Sequence, residues 1–192
     1  MQNVLPKEFY EKHDTLTLAK QLLGCTLVHE SQEGPTSGII VETEAYLQND
    51  PACHAYRKKS ARNAPMFESA GIVYVYLIYG LHHCFNIVSG VAGIGEAVLI
   101  RALEPIDGIE LMQKRRKTKD LRNLCSGPAK LVQAMGITHD FNFLAIDSKN
   151  FYCIFPQTTD YQIVTTTRIG ITQGVDLPYR FYLEGNRFVS RI

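Results

Sequence analysis

Short runs of apolar residues, some alternating with polar ones and some continuous, are punctuated along the chain by turn-forming residues. CTLVHES (25–31) and TSGIIVETEAY (36–46) read as two strands joined by a turn at Glu33-Gly34-Pro35. GIVYVYLIYG (71–80) and HHCFNIV (82–88) are rich in β-branched and aromatic residues and meet at Gly80, a hairpin pattern. EAVLIRALEP (96–105) predicts a further strand, halted near Pro105. Helical periodicity appears in DTLTLAKQLLG (14–24), with Asp14 as N-cap and Gly24 as terminator. It returns in GIELMQKRRK (108–117), which Asp107 can cap, and in GPAKLVQAMG (127–136), which Ser126 can cap, with Pro128 in the first turn. Residues 139–160 lack a clear period and read as mostly irregular. YQIVTTTRIGI, YRFYLEG and RFVSRI predict short closing strands. Strands come in runs with helices beside them, so the expected class is α+β. The expected architecture is a single domain, residues 1–192, with a mainly antiparallel curved sheet, flanking helices and a protruding β-hairpin.

Composition narrows this little. The chain has 192 residues, 45% of them hydrophobic and 20% charged, ordinary values for a globular protein. No apolar run is long enough to span a bilayer. The first residues lack the apolar stretch of a secretory signal, so no membrane and no secretion are expected. Five scattered cysteines without a C-x-x-C pair favour reduced thiols over disulfides or a zinc site. A net charge of +1 gives no reason to expect a polyanion, but ten of the twenty Lys and Arg residues fall in RKKSAR (57–62) and KRRKTKDLR (114–122). Such runs are commonly solvated faces; two of them beside candidate chemistry also suit a phosphate-binding surface.

Candidate chemistry begins with IVETEAY (40–46). Period-two alternation puts Glu42, Glu44 and Tyr46 on one strand face, two carboxylates roughly 7 Å apart. An exposed edge strand would explain them as solvated side chains. The neighbouring tyrosine, and His54 a few residues on, suggest a site instead. Tyr74 and Tyr76 share a face of the next strand, and Tyr79 stands at its tip, suited either to surface packing or to wedging into a base stack. Asn86 is on the return strand. His82 and His83 are adjacent and point to opposite sides, which speaks against chelation. Arg101 follows four apolar residues, so its guanidinium starts near the interior and calls for Glu42 or Glu44, whether as a structural ion pair or a working one.

These clusters, in this order, resemble the alkyladenine (3-methyladenine) DNA glycosylase family. The resemblance runs from about Lys7 to Ile192. It is densest in VETEAYL, CHAY…RN…MF, YVYLIYGLHHCFNIV, LIRALEP, LCSGPAKL and RIGI…PYRFYLEGN. It implies a monofunctional enzyme of base excision repair that flips a damaged purine out of double-stranded DNA and hydrolyses its N-glycosidic bond, without metal or cofactor. Carried over residue by residue, Glu44 matches the general base and Arg101 the arginine that helps hold the attacking water. Tyr46, His54 and Tyr76 match the lining of the base pocket, and Asn86 the residue that crowds the exocyclic amine of guanine. Tyr79 matches the side chain that fills the gap in the duplex. His54 lies one residue nearer to Tyr46 than in vertebrate members, so that loop differs. Arg57, Lys58, Arg62 and Lys130 are candidates for the DNA backbone. A backbone carbonyl near 168–171 is expected to help hold the water. A monomer suits the family, as does a place in the bacterial cytoplasm at the nucleoid, or in a nucleus. Two rival readings stand beside it: a non-catalytic nucleic-acid-binding module and a carbohydrate glycosidase.

Overall fold

In the computed structural model, residues 3–78, 80 and 82–191 are described. The architecture is α+β, with a curled antiparallel sheet and helices packed on it. Strand β2 (Gly34–Tyr46) is the longest and organises the rest. Its first half pairs with β1 (Thr26–Ser31), and its second half lies between β5 (Ala97–Pro105) and β8 (Arg180–Leu183). Strands β3 (Val73–Ile78) and β4 (His82–Val88) pair antiparallel, and β4 continues the sheet onto β5. At the other side, β6 (Phe151–Ile154) pairs with β1; β7 (Ile163–Thr166) pairs with β8.

Four α-helices are present among the described residues: α1 (Lys7–Glu11), α2 (Thr15–Gln21), α3 (Ile109–Arg116) and α4 (Pro128–Met135). Asp14 caps α2 as expected, accepting from the Thr17 amide at 2.9 Å. The other two predicted caps are not used. Gly108 precedes α3 with φ +71°, and a Cβ there would overlap the Pro35 carbonyl. Asp107 instead accepts from Ser37 Oγ at 2.7 Å. Gly127, not Ser126, precedes α4; Ser126 Oγ accepts from Lys130 Nζ at 3.4 Å. The β1–β2 turn is at Gln32-Glu33, and Gly34 and Pro35 already belong to β2. β6 arises inside the segment expected to be irregular; Phe151 and Cys153 face the core, a two-point alternation too brief to read as a period. Of the final RFVSRI, the described residues 187–191 form no strand: Phe188 and Val189 are buried, but the backbone turns.

One large apolar cluster fills the space between sheet and helices. A smaller one, of Cys53, Ala55, Met66, Tyr74, Val88 and Ala97, lies beneath Tyr46 and Tyr76. That second cluster ties the loop after β2 to the β3–β4 hairpin. Among the described residues no helix is long and apolar enough to cross a membrane.

Candidate active site

Glu42 and Glu44 are not on an edge. With β5 on one side of β2 and β8 on the other, both carboxylates have no exposed surface. The simple alternation also breaks at this point. The register steps from Glu42–Ala102 to Thr43–Ile100, which skips Arg101 and leaves it at a bulge. Bulges re-aim a side chain, and here both acids reach the same guanidinium. Arg101 Nε donates to Glu42 Oε1 at 3.1 Å, and Nη1 lies 3.2 Å from Glu44 Oε1. Glu42 also accepts from Arg180 Nε at 2.7 Å and from the Ser190 amide at 2.7 Å. Glu44 accepts from the Tyr46 hydroxyl at 2.8 Å and from the Ile169 amide at 2.8 Å. Burial acts to lower the Arg101 pKa, but Glu44 and then Glu42 outweigh it and raise the value above the ordinary one. Burial first, and Glu44 second, also raise the Tyr46 phenol.

A cavity of about 620 Å³ opens against this group. Tyr46, Arg101 and Ile169 line it, so the three groups in contact with Glu44 all face the cavity while Glu44 sits directly behind them. The opposite wall is aromatic. His54, Tyr74, Tyr76 and Asn86 line it, with Cys84 and Met66. His54 Nδ1 bonds the Tyr74 hydroxyl at 2.9 Å, and its ring meets Tyr76 edge-on with centroids 4.5 Å apart. Asn86 Nδ2 donates to the Tyr74 carbonyl at 3.0 Å. Desolvation, then Arg62, bring the His54 pKa down from 6.5 to about 4, so the ring is neutral at pH 7 although one side is exposed to the cavity.

Five of the six candidate chemical residues therefore border one cavity: Arg101, Tyr46, His54, Tyr76 and Asn86. The sixth, Glu44, is hydrogen-bonded to two of its lining residues, Tyr46 and Ile169, and ion-paired with a third, Arg101. Tyr79 lies outside the described residues. Of the candidate backbone contacts, Arg57 lines the cavity and Lys58 is exposed. Arg62 lies 5.5 Å from the Tyr76 ring centroid and donates to the Leu77 carbonyl. Lys130 is bound to Asn123 at 2.6 Å. In the second basic tract, Arg115 pairs with Glu33 at 2.8 Å, and Arg116 donates to Gln133 and to the Leu124 carbonyl.

Several site residues escaped the sequence reading. Arg168 stands 4.7 Å from the centroid of Tyr46, pairs with buried Asp50 and donates to the Ala45 carbonyl, bracing the ring from behind. Arg180, Ile169 and Ser190 come from far along the chain: Ile169 falls within 168–171, where the resemblance implies a backbone group, Arg180 lies in PYRFYLEGN, and nothing in the sequence marks Ser190. All five cysteines are free and buried, and burial pushes the Cys53 thiol up to about 11.

Residues 8–187 match the family model described as methylpurine-DNA glycosylase. The chain is 54% identical over 191 residues to a protein of Methanoculleus marisnigri, covering 97% of this chain and 98% of that one. It is 50% identical over 190 residues to one of Carboxydothermus hydrogenoformans, covering 98% and 99%. A protein of Rhodopseudomonas palustris is 49% identical over 173 residues, covering 90% and 84%. All three relatives carry the provisional name 3-methyladenine DNA glycosylase.

Proposed function

The chain belongs to the methylpurine-DNA glycosylase family, and on that footing we propose that it is a monofunctional DNA glycosylase of base excision repair. Its substrate is duplex DNA bearing an alkylated or deaminated purine: 3-methyladenine, 7-methylguanine, hypoxanthine or ethenoadenine. The product is an abasic site. One observation carries the reading: a guanidinium and a phenol in the wall of a cavity large enough for a purine both contact a buried carboxylate just behind it.

A base in a duplex is out of reach, so it is extruded at a cost of about a few kcal/mol. Tyr79 fills the vacancy and recovers stacking, while Arg57, Lys58, Arg62 and Lys130 supply backbone contacts. The extruded base lies between Tyr46 and Tyr76 and meets His54 at its edge. Asn86 crowds a guanine amine. Glu44 takes a proton from water on the sugar face opposite the leaving base. Its charge also steadies the oxocarbenium-like transition state. A carboxylate offers about four acceptor positions. Ile169 and the Arg101 guanidinium lie on Oε1 and the Tyr46 hydroxyl on Oε2, so capacity for water remains on Oε2.

Water as nucleophile fits the lining, where no lysine occurs among the described residues. A carbohydrate glycosidase fits less well. That chemistry needs two carboxyl groups flanking one bond, and Glu42 is committed to Arg101, Arg180 and Ser190.

The test uses duplexes holding one defined lesion each, incubated with the protein and then cleaved with alkali at abasic sites. The Glu44→Gln variant is expected to bind the same duplexes with unchanged affinity and to release base at least about 100-fold more slowly. Undiminished release would remove Glu44 from the mechanism. Binding without release by the parent would favour the non-catalytic module.

A further inference from the structure

Glu42 has no step in the proposed reaction and does not line the cavity, yet it is the most heavily bonded acid beside it. Oε1 accepts from two arginines, Arg101 at 3.1 Å and Arg180 at 2.7 Å, and Oε2 from the Ser190 amide at 2.7 Å. Arg101 also sends Nη2 to Ser190 Oγ at 3.4 Å, and Arg180 donates to the Arg191 carbonyl. All this takes place in the interior, where every buried charge carries a desolvation cost.

The arrangement makes sense from the side of Arg101. A guanidinium next to a carboxylate favours the planar fork, two parallel N–H···O bonds that occupy both oxygens. Arg101 does not make that fork with Glu44. The ion pair is the approach of Nη1 to Oε1 at 3.2 Å, and the hydrogen bonds of Arg101, from Nε and Nη2, go to Glu42 and Ser190 rather than to Glu44. Oε2 of Glu44 has the Tyr46 hydroxyl as its hydrogen-bond donor. A carboxylate that is to accept a proton from water must keep a lone pair for it, and a fork would take that lone pair away.

We infer that Glu42 is a positioning residue, itself held by Arg180 and Ser190, that restrains Arg101 from forking onto Glu44 and so keeps Oε2 able to accept from water. Arg101 then lends Glu44 its charge without blocking it. This rests on the glycosylase reading above.

The experiment compares Glu42→Gln and Ser190→Pro, the second removing both the amide donor to Glu42 and the hydroxyl that accepts from Arg101 Nη2. Single-turnover excision per folded molecule and lesion-duplex Kd are measured, and the Glu42→Gln crystal structure is determined. Excision is expected to fall roughly ten- to hundredfold in Glu42→Gln and about threefold in Ser190→Pro, with Kd within about twofold of the parent. In the crystal, two nitrogens of Arg101 are expected on both oxygens of Glu44. In an Arg101→Lys background, where no fork can form, Glu42→Gln should cost less than about threefold more. Folded variants that excise at the parental rate would overturn the inference, as would Arg101 unmoved in the crystal, or a loss confined to Tm or Kd. The crystallographic result decides it even if the parent releases no base, an outcome that would instead remove the glycosylase reading.

Discussion

The two walls of the cavity are built by different physics. On the β2–β5 side, Arg101 faces the cavity and buried Glu42, Glu44 and Arg180 lie behind it, held by hydrogen bonds from fixed directions. On the opposite side, His54, Tyr74 and Tyr76 are held mainly by ring packing over the small satellite core, with one hydrogen bond between His54 and Tyr74. The charged wall depends on angles and the aromatic wall on contact area. A change on the first should therefore alter rate, and a change on the second should alter affinity.

The strongest challenge to that division is Tyr76→Ala. Stacking on an aromatic side chain contributes about 1–3 kcal/mol per base, so lesion-duplex Kd by fluorescence anisotropy should rise roughly ten- to hundredfold. Excision of the bound lesion should change much less. A rate loss at unchanged Kd would break the comparison. Tyr46 sharpens it, because its ring faces the cavity while its hydroxyl belongs to Glu44. Tyr46→Phe keeps the ring and leaves a buried acceptor without its donor. Urea unfolding should show a loss of about 1–3 kcal/mol. Excision should slow several-fold while Kd stays within about twofold.

The smallest expected effect concerns pH. The folded His54 pKa, about 4, lies below the ordinary 6.5. As pH falls, the unfolded chain takes up this proton first. The contribution of neutral His54 to stability is thus whole above about pH 6.5 and is lost as pH drops toward about 4. Since the ring is partly exposed, solvent screens the effect and it should be slight. The urea midpoint of His54→Asn should fall less between pH 7 and pH 5 than that of the parent. An equal fall in both would mean that His54 titrates as an ordinary surface histidine.

The sequence disclosed these walls unevenly. Alternation and β-branching located β2 through β5 and the hairpin, since those strands are long enough for a period to show. The same alternation misjudged the geometry at Arg101, because a bulge is a one-residue departure that no period predicts. The edge-strand alternative for Glu42 and Glu44 failed on β8, a four-residue strand that arrives some 140 positions later. Asp50–Arg168 and Glu42–Ser190 were hidden for the same reason: nothing local marks a partner that is distant in sequence. Charge density does not show which basic side chains are already engaged. Residues 114–122 look as suited to phosphate as residues 57–62, yet Arg115 and Arg116 are occupied by their own chain.

The bonds from Ile169 to Glu44 and from Ser190 to Glu42 join positions 125 and 148 apart. A polypeptide that has emerged from the ribosome only as far as residue 160 already carries Glu44, Arg101 and every ring of the aromatic wall. It has neither the amide nor the tail that set the acids in place. The acid cluster is therefore assembled only once residues well beyond 160 have joined the fold, which makes its geometry a readout of completed folding.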